Sequence, residues 1–442
     1  MAAPATAPGP STVPAARTVG AQAGEPGPST AAGHPDRVLA ELAGWQRGVR
    51  AQFPILTGTD EAYLDSAATS QKPQAVLDAV QRYLTGENAN AGRGTYRWAN
   101  RTTALLHHCR TRVGDLIDDP DPERSGVHLV GGTTEALRRV ALDWLVDLLA
   151  DGDEIVVPAA DHLANVIPWQ EARDAAARRG VTVRLVEMPY EPSGDYDVAA
   201  LAPLVGERTR LVAVTHVHHV YGVDMNVHRI RRLVGDDVVI CLDAAQSVGH
   251  LPVSVTDLDV DFLAFSGHKA MALPGIGVLW AGNRRGPRYE HRGWQGSPHT
   301  VGAVSLAAAV DWFEATDVTR IARWTAALGA RLTDGLSRLP DIRVLGCQDS
   351  LTLDSTVQRR HGPVTFLHPG ISAADLGFVL ADHGLMVRAN AHCQGPTGER
   401  ENSVRVSLHA YNTVEEVDRL LHVLGRLDTH PTTPSHHRGA HR

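Results

Sequence analysis

Two periodicities alternate along the chain. In 75–86 (AVLDAVQRYLTG) and 102–117 (TTALLHHCRTRVGDLI) apolar residues recur at three- and four-residue spacing, which predicts amphipathic helices. Shorter runs bounded by turn residues predict strands: GVHLVGG (126–132), DEIVVPAA (153–160), TVRLVEM (182–188), TRLVAVTHV (209–217), DVVICLDAA (237–245) and DFLAFSG (261–267). Helical patterns lie between several of them, as in 133–150 and 226–235. Strand, helix, strand in repetition predicts an α/β fold with a mostly parallel central sheet covered on both faces, running to about residue 295. After a helical stretch (303–339) the pattern changes to short strands at 342–346, 363–369, 385–390 and 404–409, with helices at 372–384 and 413–427. This predicts a small α+β C-terminal domain, to which the N-terminal segment could also contribute.

The resulting division is a tail at 1–35, an N-terminal segment at 36–60 packing on the small domain, a large domain at 61–300, a connecting helix with the small domain at 301–427, and a second tail at 428–442. Both tails are poor in large apolar residues, rich in Ala, Pro, Gly, Ser and Thr at one end and in His at the other, and are expected to be disordered. The chain has 442 residues, 43% hydrophobic and 21% charged. A net charge of −8 gives no general electrostatic reason to expect nucleic acid or an anionic membrane. Four cysteines without CxxC spacing argue against a disulfide framework or a structural zinc and suit a reducing, cytoplasmic location. No apolar run is long enough to cross a membrane, and the N-terminus lacks the order of a secretory signal.

Candidate chemistry collects where predicted strands end, the edge at which parallel sheets place ligands. Gly131-Gly132-Thr133-Thr134 opens a helix and suits a phosphate, or is a capped turn. Asp161-His162 follows a strand; its imidazole could stack on a flat ring or cap the next helix. Asp243, ending a strand with Gln246 close behind, needs a positive partner if ionised, or caps a turn. Ser266-Gly267-His268-Lys269 interrupts two apolar runs with one lysine, either a surface turn residue or a chemically used amine, for instance one forming a Schiff base with an aldehyde cofactor. Phosphate loop, ring stacker, carboxylate and lysine in this order suggest pyridoxal 5′-phosphate.

The motifs YLDSAATSQKP (63–73), GGTTEA (131–136), DHLANVIPWQ (161–170), THVHHVYG (215–222), LDAAQSVGHLPV (242–253), DFLAFSGHK (261–269), VRANAHC (387–393) and VRVSLHAYNT (404–413) resemble the class V, fold-type I pyridoxal-phosphate enzymes, and among them the cysteine desulfurase and selenocysteine lyase group. The resemblance implies a Schiff-base role for Lys269, pairing of Asp243 with the pyridinium nitrogen, and a bond from Gln246 to the ring hydroxyl. It implies stacking by His162, and phosphate contacts from Thr133, Thr134, Ser266 and His268. Arg388 and Arg405 would sit at the substrate carboxylate, and Cys393 would attack the substrate sulfur. Read from its residues alone, the loop around Cys393 leaves the thiol undecided between that role and an incidental one. Nearby cations such as His392, Arg388 or Arg405 would lower its pKa.

The chain departs from that pattern in three places. His218-His219 stands where the group has Ser-Asn at the cofactor, Gly92-Arg93-Gly94 lacks a usual histidine, and a glycine-rich hairpin before Gly296 is largely missing. Thr300 ends the remnant of that hairpin, a segment that the resemblance implies a partner subunit offers to the phosphate, hence a homodimer. The implied reaction is desulfuration of L-cysteine, with a sulfur-acceptor protein as a further partner and no metal. The departures leave room for another class V reaction, a C–S lyase, deaminase or aminotransferase, on a larger amino-acid-like substrate.

Overall fold

The computed structural model describes residues 35–92, 94–122, 124–191, 194–290, 296–346, 361–390, 392 and 402–427. The expectations for the two tails, Arg93, Cys347 and Cys393 lie outside these residues. Along the chain come β1 (Ala62–Tyr63), β2 (Gly126–Val130), β3 (Asp153–Val157), β4 (Val183–Glu187), β5 (Thr209–Thr215), β6 (Val239–Asp243), β7 (Phe262–Ser266) and β8 (Gly277–Ala281). They are followed by β9 (Arg343–Val344), β10 (Val364–Leu367), β11 (Leu385–Met386), β12 (Arg388–Ala389) and β13 (Val404–Val406).

Seven strands form one sheet in the order β2-β8-β7-β6-β5-β3-β4. The pairs among β3, β4, β5, β6 and β7 are parallel, whereas β8 runs antiparallel to both β7 and β2. The exception has a simple cause. Only the short turn after Ser266 separates β7 from β8, too little chain for the crossover that a parallel pair requires. Every residue of β6, β7 and β8 is buried, as expected of a sheet covered on both faces. Helix Thr300–Thr316 is buried on most of its circumference and lies against helices Gln74–Gly86 and Arg97–Leu116.

A second, antiparallel sheet has the order β12-β13-β10-β9. Its apolar cluster joins Val364, Phe366 and Val404 to Trp324 and Leu328 of helix Val318–Ser337, and to Val38, Leu39 and Leu42 of helix Pro35–Arg50. In addition β1 pairs with β11, so the segment leading into the first motif is stitched to the C-terminal strands.

Two helical expectations are corrected. The stretch 303–339 is two helices, because Asp317 adopts a left-handed conformation (φ 72°) and caps the second through Thr319 N. The helix from Thr133 widens after Arg139 into a π-helical segment, Val140–Leu145.

At the start of β8 the backbone itself demands glycine. A Cβ on Gly277 would lie 2.5 Å from Gly132 Cα and 2.7 Å from the Phe265 carbonyl oxygen. The start of β8 is therefore pressed onto the Gly131-Gly132 turn, fixing that turn at the edge of the sheet.

Candidate active site

The ends of β2, β3, β5, β6 and β7 converge on one cavity of about 230 Å³, closed on its far side by β12 and β13. Thr133, Thr134, His162, His219, Asp243, Gln246, Ser266, His268, Lys269, Arg388 and Arg405 all line it. Thr300 does not; it begins its helix with its hydroxyl on the Pro298 carbonyl. The placement of Cys393 lies outside the described residues.

Thr133 sits at the start of its helix, but the cap residue is Gly132 and the threonine hydroxyl is used elsewhere. Ser266 Oγ accepts from Thr133 N at 2.9 Å and lies 2.8 Å from Thr133 Oγ1, tying the end of β7 to the turn after β2. The result is a cluster of hydroxyls beside a helix start, suited to phosphate oxygens.

For His162 and Asp243 the local capping readings hold, and both side chains face the cavity as well. His162 Nδ1 accepts from Ala164 N at 3.1 Å, which places the hydrogen of the neutral ring on Nε2. Burial, then the nearby Lys269 and Arg405, push this imidazole down to about 4, so it is uncharged at neutral pH. Asp243 Oδ1 accepts from Ala245 N at 2.9 Å, yet burial raises its carboxyl to about 6. A cation placed against Asp243 would hold it ionised. Gln246 donates from Nε2 to Ala67 O at 3.0 Å, which ties it to the turn of the first motif.

That turn forms the floor beneath Lys269. The His268 carbonyl, one peptide before the lysine, accepts from Ser70 N (3.0 Å), Ser70 Oγ (3.1 Å), Thr69 Oγ1 (3.2 Å) and Lys72 Nζ (3.3 Å). Lys72 also donates to Ser70 O, and burial lowers its ammonium to about 8. The chain contains only two lysines among its 42 basic residues: Lys72 donates to this carbonyl, and Lys269 is the next residue in the chain. Lys72 was not singled out from the sequence, although the lysine count carries the signal.

On the opposite wall Arg388 and Arg405 are direct cross-strand partners of β12 and β13, and so project from the same face of that sheet. Arg405 is buried and pairs with Asp65 at 3.0 Å. His392, expected as a cation near Cys393, is neutral at physiological pH: burial, then Arg405 and Arg388, push it down to about 3. It therefore contributes no positive charge to a neighbouring thiol. On the side of the loops after β3 and β5 lies a network with no sequence signature. Asp161 accepts from Tyr190 and Tyr196 hydroxyls at 2.8 and 2.7 Å and lies 3.4 Å from His218 Nε2. Among the other cysteines, Cys109 and Cys241 are buried free thiols.

Comparison with known proteins identifies the family. The class-V aminotransferase family matches residues 62–420. A cysteine desulfurase of Pectobacterium atrosepticum is 34% identical over 414 residues, covering 86% of this chain and 97% of that protein. Cysteine desulfurase CsdA of Escherichia coli is 32% identical over 404 residues, covering 85% and 96%. The apo structure of a cysteine desulfurase from Thermococcus onnurineus superposes with a TM-score of 0.74 at 30% identity, covering 86% of this chain and 97% of that one. A second solved structure, of Escherichia coli CsdA, gives 0.72 at 30% identity, covering 86% and 98%.

The buried histidines make stability pH-dependent with a definite sign. His162, His250 and His268 are pushed down to about 4 and His392 to about 3, all first by burial. The unfolded chain takes up these protons near the ordinary imidazole value of about 6.5, whereas the native state resists until far lower pH. Stability is thus full above about pH 6.5 and declines as pH falls toward 4; Asp243, raised to about 6, opposes this as a single group. The urea midpoint is expected to be lower at pH 5 than at pH 7.5, and an equal or higher midpoint at pH 5 would contradict the buried, neutral histidines.

Proposed function

The chain belongs to the class-V aminotransferase family, and within it we propose that it is a pyridoxal-phosphate-dependent cysteine desulfurase, converting L-cysteine to L-alanine and passing the sulfur to its own Cys393. The observation that carries this reading is the single cavity that gathers Lys269, buried Asp243, His162, a hydroxyl cradle and two arginines. Substantial similarity to proteins named cysteine desulfurase supports the substrate.

The residues fit the cofactor. Asp243, whose burial makes a cationic partner necessary for its ionised form, suits a protonated pyridine nitrogen; Thr133, Thr134, Ser266 and His268 suit the phosphate; His162, neutral and held by its cap, suits the ring face. Lys269 would hold the aldehyde. When bound, the cofactor supplies an electron sink for charge developing at the substrate α-carbon. Arg388 and Arg405 bind the substrate carboxylate and set the α-hydrogen toward Lys269, whose amine takes that proton and later returns one to the product carbon. The Cys393 thiolate attacks the substrate sulfur: an S–S bond forms, the substrate C–S bond breaks, and L-cysteine plus the Cys393 thiol become L-alanine plus the Cys393 persulfide. A sulfur-acceptor protein would then relieve the enzyme of that sulfur. A reducing, cytoplasmic setting suits such a thiol.

Exposed Leu77, Leu84, Tyr96 and Trp98, on and beside the helices that flank Thr300–Thr316, support a homodimer, in which Thr300 of one subunit would reach the partner's phosphate. Sedimentation is expected to give twice the chain mass of 47.4 kDa, and a monomer mass would contradict the shared site. For the reaction, purified protein with L-cysteine and a reductant is expected to yield alanine and sulfide. Lys269→Ala should lower the rate at least about a hundredfold, the low end of what a positioned acid–base group contributes. Alanine formation unaffected by Cys393→Ala would overturn the persulfide role. Pyruvate or a keto acid in place of alanine would instead favour another class V reaction.

A further inference from the structure

His219 occupies the loop after β5, is only 3% exposed, and binds the opposite wall through both main chain and side chain. Its ring Nε2 lies 3.0 Å from the carbonyl oxygen of His392. A carbonyl can only accept, so Nε2 carries the hydrogen and donates. The carbonyl of His219 in turn accepts from Arg405 Nη1 at 3.1 Å. His392 Nε2 is 2.9 Å from Ser403 Oγ, and Ser403 stands two residues before Arg405. The bonds close a circuit: His219 to His392, His392 to Ser403, along the chain to Arg405, and back to His219. Thr365, the cross-strand partner of Arg405 on β10, adds a parallel tie to the carbonyl of Val220 at 2.5 Å.

The imidazole is also braced from behind. His218 stacks on it with centroids 4.9 Å apart and planes 28° apart, and Tyr221 in turn stacks on His218 at 4.6 Å. His218 is itself immobilised, since Nδ1 accepts from Val220 N and Tyr221 N while Nε2 faces Asp161. His162 meets His219 edge-on at 5.1 Å. A ring held on two sides and bonded at its tip cannot swing away without breaking several buried contacts.

We infer that His219 is a positioning residue for substrate binding: by holding the His392 carbonyl and the Arg405 guanidinium against the β5 loop, it fixes the distance between the cofactor cavity and the paired arginines that grip the substrate carboxylate. The inference rests on the amino-acid substrate and cofactor proposed above. Two guanidiniums side by side on short strands repel each other, and their separation from the β5 loop is what these bonds fix. Burial, together with the surrounding cations, keeps the His219 ring neutral, so it supplies a hydrogen bond without adding a third charge.

The test uses cofactor-loaded protein and three substitutions, His219→Leu, His219→Gln and Ser403→Ala. The readouts are the visible absorbance band, the Kd for L-alanine from its perturbation of that band, and KM and kcat with L-cysteine. The amide nitrogen of Gln lies three bonds from Cβ, as Nε2 of His does, so His219→Gln keeps a donor near the same point. His219→Leu is expected to raise the alanine Kd and the cysteine KM about tenfold, equivalent to about 1.4 kcal/mol, for a buried carbonyl left without its donor. The band and kcat should stay within about twofold, and His219→Gln should recover most of the loss. Ser403→Ala, which breaks the circuit without altering His219, should shift alanine binding in the same direction. An unchanged alanine Kd in His219→Leu would overturn the inference. So would equal losses in the Leu and Gln variants, which indicate space filling, or a shifted band with unchanged alanine binding, which indicates contact with the cofactor alone. Native protein that never develops the band would overturn the cofactor reading, and this inference with it.

Discussion

A carboxyl group buried at the end of a parallel strand is tolerable only if it is neutral or faces a cation, and the site is organised around that constraint at Asp243. Burial drives its pKa up, one backbone N–H and Lys269 pull it back, and nearby Asp161 pushes the same way as burial. A cationic ring nitrogen would settle the conflict. The neighbouring imidazoles are kept neutral by the same burial, so they leave Asp243 as the anionic element on that side of the cavity. One physical effect, desolvation, thus assigns a different electrical role to each side chain.

The geometry that holds these groups depends on two tight turns pressed together. The turn at Gly267–Lys269 returns the chain from β7 into antiparallel β8, and the turn at Ala67–Lys72 gathers four donor atoms onto the His268 carbonyl. Ser70 bridges the two again, its hydroxyl accepting from Met271 N at 2.8 Å. Lys269 therefore departs from a peptide unit fixed on one side by the sheet and on the other by a segment two hundred residues earlier. The second sheet completes the enclosure through Arg405, which is anchored to Asp65 and to the β5 loop.

Much of this is legible in the sequence because each element of the proposed cofactor site is local. Gly131-Gly132-Thr133, Asp161-His162, Asp243 and Ser266–Lys269 all stand where a strand's apolar run stops, and a parallel sheet brings such points to one edge. What escaped the sequence is contact between distant segments. Nothing in the periodicity of 215–222 or 387–392 signals that His219 donates to the His392 carbonyl, or that His218 faces Asp161 between two tyrosines. The neutrality of His392 is hidden from the sequence for the same reason, since its burial and its arginine neighbours come from tertiary packing. The break at Asp317 was hidden because an aspartate, not a glycine, adopts the left-handed turn.

Of the two lysines, Lys269 is the one proposed to carry an aldehyde cofactor, and Lys72, whose amine lies on the His268 carbonyl, is not. Borohydride reduction of the purified, cofactor-loaded protein, followed by peptide mass mapping, decides this directly, because the chain offers only Lys72 and Lys269. A reduced pyridoxyl group found on Lys269 alone is the predicted result. A label on Lys72, or no label on either lysine despite added pyridoxal phosphate, would contradict it.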